Sequence, residues 1–479
     1  MAHISKVRKR DGSIEQFQPE KIEIAIGKAI TSVNRKDGKL SKKLMQQVVK
    51  ELEKHFTPKI IPSVEDVQDI VEEILIKNKL ADVAKSFILY RQKHKEVREF
   101  KTFLGVRDEL KLTPNAIKVL VSRYLLRDEK GSVTETPARL FRRVAKAVAQ
   151  ADALYKKGAL KKTEEEFYEM LSNLDFMPNT PTLMNAGAPL GQLSACFVLP
   201  VGDSLREIFD AVKYTAIIHQ SGGGTGFSFS RLRPTGDIVQ TTKGVASGPV
   251  SFMRVFDMTT EILKQGGKRR GANMGILHCD HPDILDFITA KSKEGMLQNF
   301  NVSVAATDSF MEAALKGKEY DIINPRTKHK IKTLNAKEVF DLIVANAWQT
   351  GDPGMIFIDE INRKNPTAQT GLIESTNPCG EQPLHPFESC NLGSINLTNM
   401  LKPEKSKAFL GAKNPKDFFA NDKLDWDKLK KTIHKAIHFL DNVIDVNKYP
   451  LPEIEQVTKA NRRIGLGVMG FAELLINTG

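Results

Sequence analysis

Through the first 175 positions apolar residues recur at helical spacing; beyond them short apolar runs alternate with helical segments. At the start, Lys6 to Arg10 runs into the turn dipeptide Asp11-Gly12 and then Ser13-Ile14-Glu15-Gln16-Phe17, which predicts a small β-hairpin. Pro19-Glu20-Lys21 opens a helix carrying Ile22, Ile24, Ala25 and Ile26. Two amphipathic helices are expected over 48–56 and 64–76, the second begun by Ser63 with acidic Glu65 and Asp66 behind it, and a fourth over 81–99. Residues 105–175 read as almost wholly helical, with starts at Thr136-Pro137 (running through Ala153) and at Lys162-Thr163-Glu164. From Met177 onward, strands are expected over 195–201, 226–230, 274–277, 302–305, 355–358 and 392–397. Helices fall between them over 205–218, 250–263, 283–290, 310–315 and 336–347. Such alternation predicts an α/β barrel or a doubly wound sheet. A polar insert spans 402–423, and a helical pattern beginning at Phe471 is still running at Gly479, so a truncated chain or one piece of a split protein is expected.

Composition narrows the class. The chain has 479 residues, 41% hydrophobic and 27% charged, which is globular, and no run approaches the ~18 apolar residues of a membrane span. No apolar stretch follows the basic N-terminus to make a secretory signal, so a cytoplasmic location is expected. Net charge is +13, and residues 1–100 hold 21 basic against 15 acidic side chains. That excess suits nucleotide phosphates or nucleic acid, and equally suits solvated lysine faces. Only two Trp and seven Tyr are present, with no nucleic-acid-binding motif, which leaves little for base stacking. Four cysteines, Cys196, Cys279, Cys379 and Cys390, are too few for a disulfide scaffold and form no CxxC pair, so any role is as reactive thiols.

Several motifs invite chemistry. Gly465-Leu466-Gly467-Val468-Met469-Gly470 matches the dinucleotide fingerprint but lacks a preceding strand run and a later acidic residue, so a tight glycine loop before a helix is expected. Ser221-Gly222-Gly223-Gly224-Thr225-Gly226 permits close backbone approach to a ligand. Gln265-Gly266-Gly267-Lys268-Arg269-Arg270-Gly271-Ala272-Asn273 sets three cations on a flexible backbone, suited to phosphate or base contacts. His278-Cys279-Asp280-His281 is read as a strand-to-helix turn, since successive strand residues point to opposite faces; no metal site is expected. Asn377-Pro378-Cys379-Gly380-Glu381 is the most informative: a thiol and a carboxylate at i and i+2 of a turn can address one small substrate, with general-base chemistry beside nucleophilic or hydrogen-atom chemistry. A papain-like pairing of Cys379 with His385 is the competing reading.

Taken together, these segments resemble the large catalytic subunits of ribonucleotide reductases, and the adenosylcobalamin-dependent class II in particular. The resemblance rests on Asn179-Thr180-Pro181-Thr182-Leu183-Met184-Asn185-Ala186-Gly187, Ser194-Ala195-Cys196-Phe197, Gly222 to Gly226, Lys264 to Asn273, Asn377 to Glu381 and Ser389-Cys390-Asn391-Leu392-Gly393-Ser394. It implies an ATP-cone over 1–95, a helical domain over 96–176 and the first part of a ten-stranded α/β barrel over 177–479. It also implies that Cys379 carries a thiyl radical, Glu381 acts as base, and Asn377 holds substrate. Cys196 and Cys390 would supply two electrons and finish as a disulfide, with Cys279 structural. Substrate would lie near Thr180, Ala195, Cys196, Gly224 and Asn377, Pro378, Cys379, Gly380 and Glu381. A deoxynucleoside triphosphate effector would lie near Asp203, Ser204, Arg233, Lys268, Arg269 and Arg270 at a homodimer face. ATP or dATP would meet Val7, Lys9, Arg10, Glu15 and Lys21. The implied cofactor is adenosylcobalamin and the implied partner a thioredoxin-like or glutaredoxin-like reductant, with no membrane or nucleic acid. Whether di- or triphosphates are reduced stays open. The implied later strands, diphosphate loop and C-terminal cysteines are missing, so this polypeptide alone is expected not to turn over. A nucleotide-sensing protein with an ATP-cone and a non-catalytic barrel is the alternative.

Overall fold

The computed structural model describes residues 4–9, 13–36, 39–56, 60–103, 110, 112–155, 158, 160–238, 243–263, 270–402 and 423–478. Asp11-Gly12 of the hairpin turn, Arg10, Lys268, Arg269 and the insert over 403–422 lie outside them. The chain divides into two compact units, one of residues 1–107 with 111–118 and one of 108–110 with 119–479.

In the first unit, β1 (Lys6–Arg8) and β2 (Ile14–Gln16) pair antiparallel, Val7 opposite Glu15. Four helices follow: α1 (Pro19–Ser32), α2 (Leu40–His55), α3 (Val64–Lys77) and α4 (Ala81–Phe103). Pro19 starts α1 where its missing N–H costs nothing. Ser63 caps α3 through a capping box, its Oγ accepting from Asp66 N (3.1 Å) while the Asp66 carboxylate accepts from Ser63 N (2.7 Å). The inward stripes Ile22, Ile26 and Ile30, Leu44, Val48 and Leu52, and Val71, Ile74 and Leu75 build one core. The second helix begins eight residues earlier than the apolar pattern suggests, because its first two turns are lysine-rich outside and bury only Ser41 and Leu44.

Along the chain next come α5 (Pro114–Arg123), α6 (Pro137–Ala149), α7 (Asp152–Tyr155), α8 (Leu160–Ser172), β3 (Phe176–Pro178) and α9 (Thr180–Asn185). The helix at Pro137 stops at Ala149 rather than Ala153 and restarts at Asp152, whose carboxylate is held by Thr163, His438 and Asn442. The α/β part then runs β4 (Cys196–Val198), α10 (Leu205–Gln220), β5 (Gly224–Ser228), α11 (Pro249–Leu263), β6 (Asn273–His278), α12 (Ile284–Ile288), β7 (Phe300–Ala306) and α13 (Asp308–Lys316). It continues through β8 (Glu319–Ile323), β9 (Lys330–Asn335), α14 (Ala336–Thr350), β10 (Gly354–Phe357), α15 (Ile358–Arg363), β11 (Ser375–Thr376), β12 (Pro383–Leu384) and β13 (Ser389–Asn396). It closes with α16 (Trp426–Val446), α17 (Pro452–Asn461), β14 (Ile464–Met469) and α18 (Phe471–Thr478).

Eight strands form one sheet in the order β10-β7-β6-β5-β4-β13-β14, with β3 also on β13. From β10 to β4 all neighbours are parallel, as the βα alternation requires; β13 then runs antiparallel to β4 and parallel to β14. The main core lies between sheet and helices, with Phe227, Phe229, Phe256 and Phe300 at its centre.

The glycine fingerprint is corrected here: residues 464–469 are a strand, not a loop, paired with β13 in register Ile464 to Asn391. Its glycines answer to packing, since a Cβ on Gly465 would stand 2.1 Å from Leu392 Cδ2. Only Gly470, at φ +73°, makes the bend into α18. The hairpin β8–β9 and the 21-residue α16, which buries Phe439, Leu440 and Val443, carry no expectation from the pattern reading above.

Candidate active site

The site is built where the sheet changes direction. In the β4–β13 ladder Cys196 stands directly opposite Cys390. Opposed residues of an antiparallel pair project to the same face with Cβ atoms about 4.5–5.5 Å apart. Their Cα atoms, about 4.5–5.5 Å apart, fall inside the window of about 4.4–6.8 Å that a disulfide needs. Both residues are buried and all four cysteines are reduced. Burial among Ala195, Val198 and Leu384, with Cys196 and Glu388 adding negative charge nearby, pushes the Cys390 thiol well above the ordinary thiol range; the Arg463 guanidinium opposes this.

Between β11 and β12 the chain makes a tight turn over this pair. Ser375 lies opposite Leu384 and Thr376 opposite Pro383. Asn377 N donates to Gln382 O (3.2 Å), Gln382 N to Asn377 Oδ1 (3.0 Å) and Gly380 N to Asn377 O (3.1 Å), with Gly380 at φ +80°. Asn301 Nδ2 donates to Pro378 O (2.7 Å) and anchors the turn on β7. The turn rests on β5 only because of two glycines: a Cβ on Gly226 would lie 1.7 Å from Thr376 O, and one on Gly224 would lie 2.8 Å from Pro378 Cγ. Close approach was expected of this glycine run; at these two positions it serves the protein's own turn.

Asn377 Nδ2 donates to Cys196 Sγ (3.1 Å), and Cys196 Sγ donates to Glu381 Oε1 (3.9 Å). A pocket of about 420 Å³ opens above them. Thr180, Ala195, Cys196, Gly224, Asn377, Pro378, Cys379 and Glu381 line it, as does Arg270, the cation among its described lining residues. Gly380 and Cys390 do not line it, the latter lying fully buried behind Cys196. Cys379 is exposed, because the turn carries its tip away from the sheet; Glu381 is exposed with it. Asn179, Ala272, Ser394 and Met469 also line the pocket without having been singled out as its residues. Asn179, Ala272 and Ser394 stood inside motifs that carry the resemblance, whereas Met469, in the glycine fingerprint, reaches the pocket through the pairing of β14 with β13.

His385 is buried and its Nε2 meets Asn365, Thr367 and Thr370, so its side-chain bonds run to amide and hydroxyl groups and not to Cys379. His278 to His281 form the expected turn: His281 Nδ1 accepts from Asp283 N, and burial holds the ring's pKa down. Cys279 is packed in the core, its thiol pushed up to about 11 by burial. Among the described residues no group of three His, Cys, Asp or Glu is placed to hold a metal.

Asp203 and Arg233 pair in the same unit, Arg233 Nε and N both donating to the carboxylate, and burial-opposed pairing raises the guanidinium pKa. Ser204 caps α10 by accepting from Glu207 N. In the first unit a pocket of about 530 Å³ is lined by Val7, Lys9, Glu15 and Lys21, with Lys28 and Arg91 added. Lys28 lies seven residues beyond Lys21, two turns along the same face of α1, a periodicity that could have found it.

Two thiols opposed in a buried ladder thus lie beneath a turn that bears a third thiol, a carboxylate and an amide, on an α/β sheet. Similarity to known proteins gives the family. Residues 5–96 match the ATP cone domain, 110–191 the ribonucleotide reductase all-alpha domain, and 194–479 the ribonucleotide reductase barrel domain. The vitamin B12-dependent ribonucleoside-diphosphate reductase of Thermoplasma acidophilum is 49% identical over 99% of this chain and 67% of its own length. That of Mycobacterium tuberculosis is 46% identical over 99% of this chain and 66% of its own. A vitamin B12-dependent ribonucleotide reductase of Streptomyces avermitilis is 33% identical over 76% and 40%. The chain belongs to the ribonucleotide reductase large-subunit family, and it spans about two thirds of the length of the first two of these relatives.

Proposed function

We propose that these residues carry the catalytic thiols of a class II reductase that converts ribonucleotides to 2′-deoxyribonucleotides. The observation that carries this reading is the direct opposition of Cys196 and Cys390 beneath a turn bearing Asn377, Cys379 and Glu381. A ribose in the pocket is held by Asn377 and Thr180, while the Cys379 sulfur, as thiyl, takes the 3′ hydrogen and returns it at the end. Glu381 accepts the 3′-hydroxyl proton. The 2′ oxygen leaves as water, and the two electrons come from Cys196 and Cys390, whose two S–H bonds are exchanged for one S–S bond. A thioredoxin-like or glutaredoxin-like dithiol then reduces that disulfide.

The relatives' dependence on vitamin B12 points to adenosylcobalamin as the group that supplies the radical when bound. The residues fit it in one respect: Cys379 Sγ is exposed at the pocket rim, reachable from outside, whereas a 420 Å³ pocket suits a sugar rather than a corrin. The tip Cys379 to Glu381 would face the cofactor. Diphosphates are the favoured substrates because the relatives are named for them. ATP or dATP is assigned to the pocket around Lys9, Lys21 and Lys28, and a specificity effector to the region of Asp203, Ser204 and Arg233. A homodimer through α10 and α11 is supported by exposed Leu205, Phe209, Met258 and Ile262 on adjacent helices. No helix among the described residues is long and apolar enough to cross a membrane, and a cytoplasmic site of action fits that.

Mild oxidation with diamide followed by peptide mass spectrometry tests the centre. A Cys196–Cys390 disulfide is expected in the parent chain and in Cys379→Ser alike. Mixed with a C-terminal fragment from the same family, the parent chain is expected to form deoxyribonucleotide from adenosylcobalamin, dithiothreitol and a ribonucleoside diphosphate, and Cys379→Ser is expected not to. Failure of the disulfide to form, or turnover surviving in Cys379→Ser, overturns the reading.

A further inference from the structure

Beneath the pocket runs a buried chain of hydrogen bonds whose direction is fixed at one end. Thr260 Oγ1 donates to Phe256 O (2.9 Å), so its lone pair accepts from Asn273 Nδ2 (2.8 Å). The Asn273 amide is thereby oriented, and its Oδ1 accepts from Thr225 Oγ1 (2.7 Å). Thr225 has then used its one proton, so His219 Nε2, 3.0 Å away, must be the donor. His219 is therefore the Nε2–H tautomer, and its Nδ1 carries a bare lone pair. That atom is buried and has no hydrogen-bond partner. It faces the main chain of Gly271, where a Cβ would stand 2.5 Å from it. The flanking residues Arg270 and Ala272 line the thiol pocket, and Gly224, next to Thr225, lines it from the other side.

We infer that His219 is a positioning residue for this pocket: its bare Nδ1 is the acceptor that seats the Gly271–Ala272 main chain and so sets where Arg270 stands against the bound nucleotide. The inference rests on the proposed function for the identity of that ligand. A buried acceptor without a donor is costly, so the segment gains a bond by bringing an N–H onto the ring when a nucleotide orders it. Burial also keeps the ring neutral, with a pKa lowered to about 4 although the Ala272 main chain beside the ring acts in the opposite sense, so the lone pair is available across the working pH range.

Two substitutions separate the two ring nitrogens. His219→Gln keeps a donor toward Thr225 and removes the acceptor; His219→Asn keeps an acceptor near Gly271 and removes the donor. With ADP, CDP, GDP and UDP as probes, His219→Gln is expected to bind about fivefold more weakly, the worth of one net hydrogen bond. It should also lose the ligand-induced slowing of amide exchange in the peptide over 270–273, and His219→Asn should restore both. Should His219→Gln fold poorly, Gly271→Ala serves instead, because its methyl displaces the same segment from the ring. In the ligand-free chain, ¹⁵N-histidine spectra should show His219 as the Nε2–H tautomer. An Nδ1–H tautomer, or nucleotide binding unchanged in His219→Gln and Gly271→Ala, overturns the inference. Absence of the Cys196–Cys390 disulfide would instead count against the function, and the tautomer is read independently of it.

Discussion

The two pockets of this chain are of similar volume and opposite construction. The first, around Lys9, Lys21 and Lys28, is assembled from residues 7–91, from a hairpin and helices joined by short connections. The second brings Thr180, Cys196, Arg270, Cys379 and Met469 together from nearly 300 positions of chain. The first therefore depends on local signals: a proline at a helix start, a capping box and helical stripes. The second depends on strand pairing between distant segments and on glycines that allow a turn to lie on a sheet. Substitutions should respect that division.

The largest effect is expected at the ion pair of Arg463 with Glu388, the latter fully buried two residues before Cys390. Arg463→Met leaves that carboxylate uncompensated and should cost about 3–5 kcal/mol in the second unit alone. Chemical denaturation followed by probes in each unit would show it; equal loss in both units would contradict the division. Next, Gly226→Ala forces a methyl against Thr376 O and should cost about 1–3 kcal/mol, while slowing Cys196–Cys390 oxidation because the turn lifts from β5. Ser63→Ala should remove about 1 kcal/mol from the first unit through its lost cap and leave thiol oxidation unchanged.

The smallest effect concerns reactivity and pH. The folded-state pKa values of Cys279 and Cys390 are raised, so their protonated forms are favoured by the fold. That stability is present in full below the unfolded thiol value of about 8.5 and is lost as pH climbs toward the folded values. Between about pH 7 and 9, iodoacetamide should modify exposed Cys379 well before Cys279 or Cys390. Equal alkylation of all four thiols would show that the second unit does not hold its cysteines buried.

Much of this architecture was legible beforehand. The hairpin at Lys6, the Ser63 start, the α/β alternation and six sheet strands could be read because each depends on residues a few positions apart. The thiol site was legible as a set of residue types through family resemblance, and Asn377, Cys379 and Glu381 do share one turn. Strand β14 was not, because its glycines resemble a loop until Leu392 is seen to need the space. The exposure of Cys379 was not, because burial belongs to what surrounds a turn and not to the turn's own sequence. Nor was Arg270 assignable to the thiol pocket, since its place follows from where β6 lies beside β5.

Helix starts, strand alternation and the choice of thiols, amide and acid are written in neighbouring residues, because backbone propensity and side-chain chemistry act over one or two turns. Which cysteine faces which, which nitrogen of His219 bears the proton and which glycines make room are settled by ladder register and close packing. The ladder joins Cys196 to Cys390 across the length of the α/β part, and the proton of His219 is fixed by the bond of Thr225 to Asn273, 48 positions away.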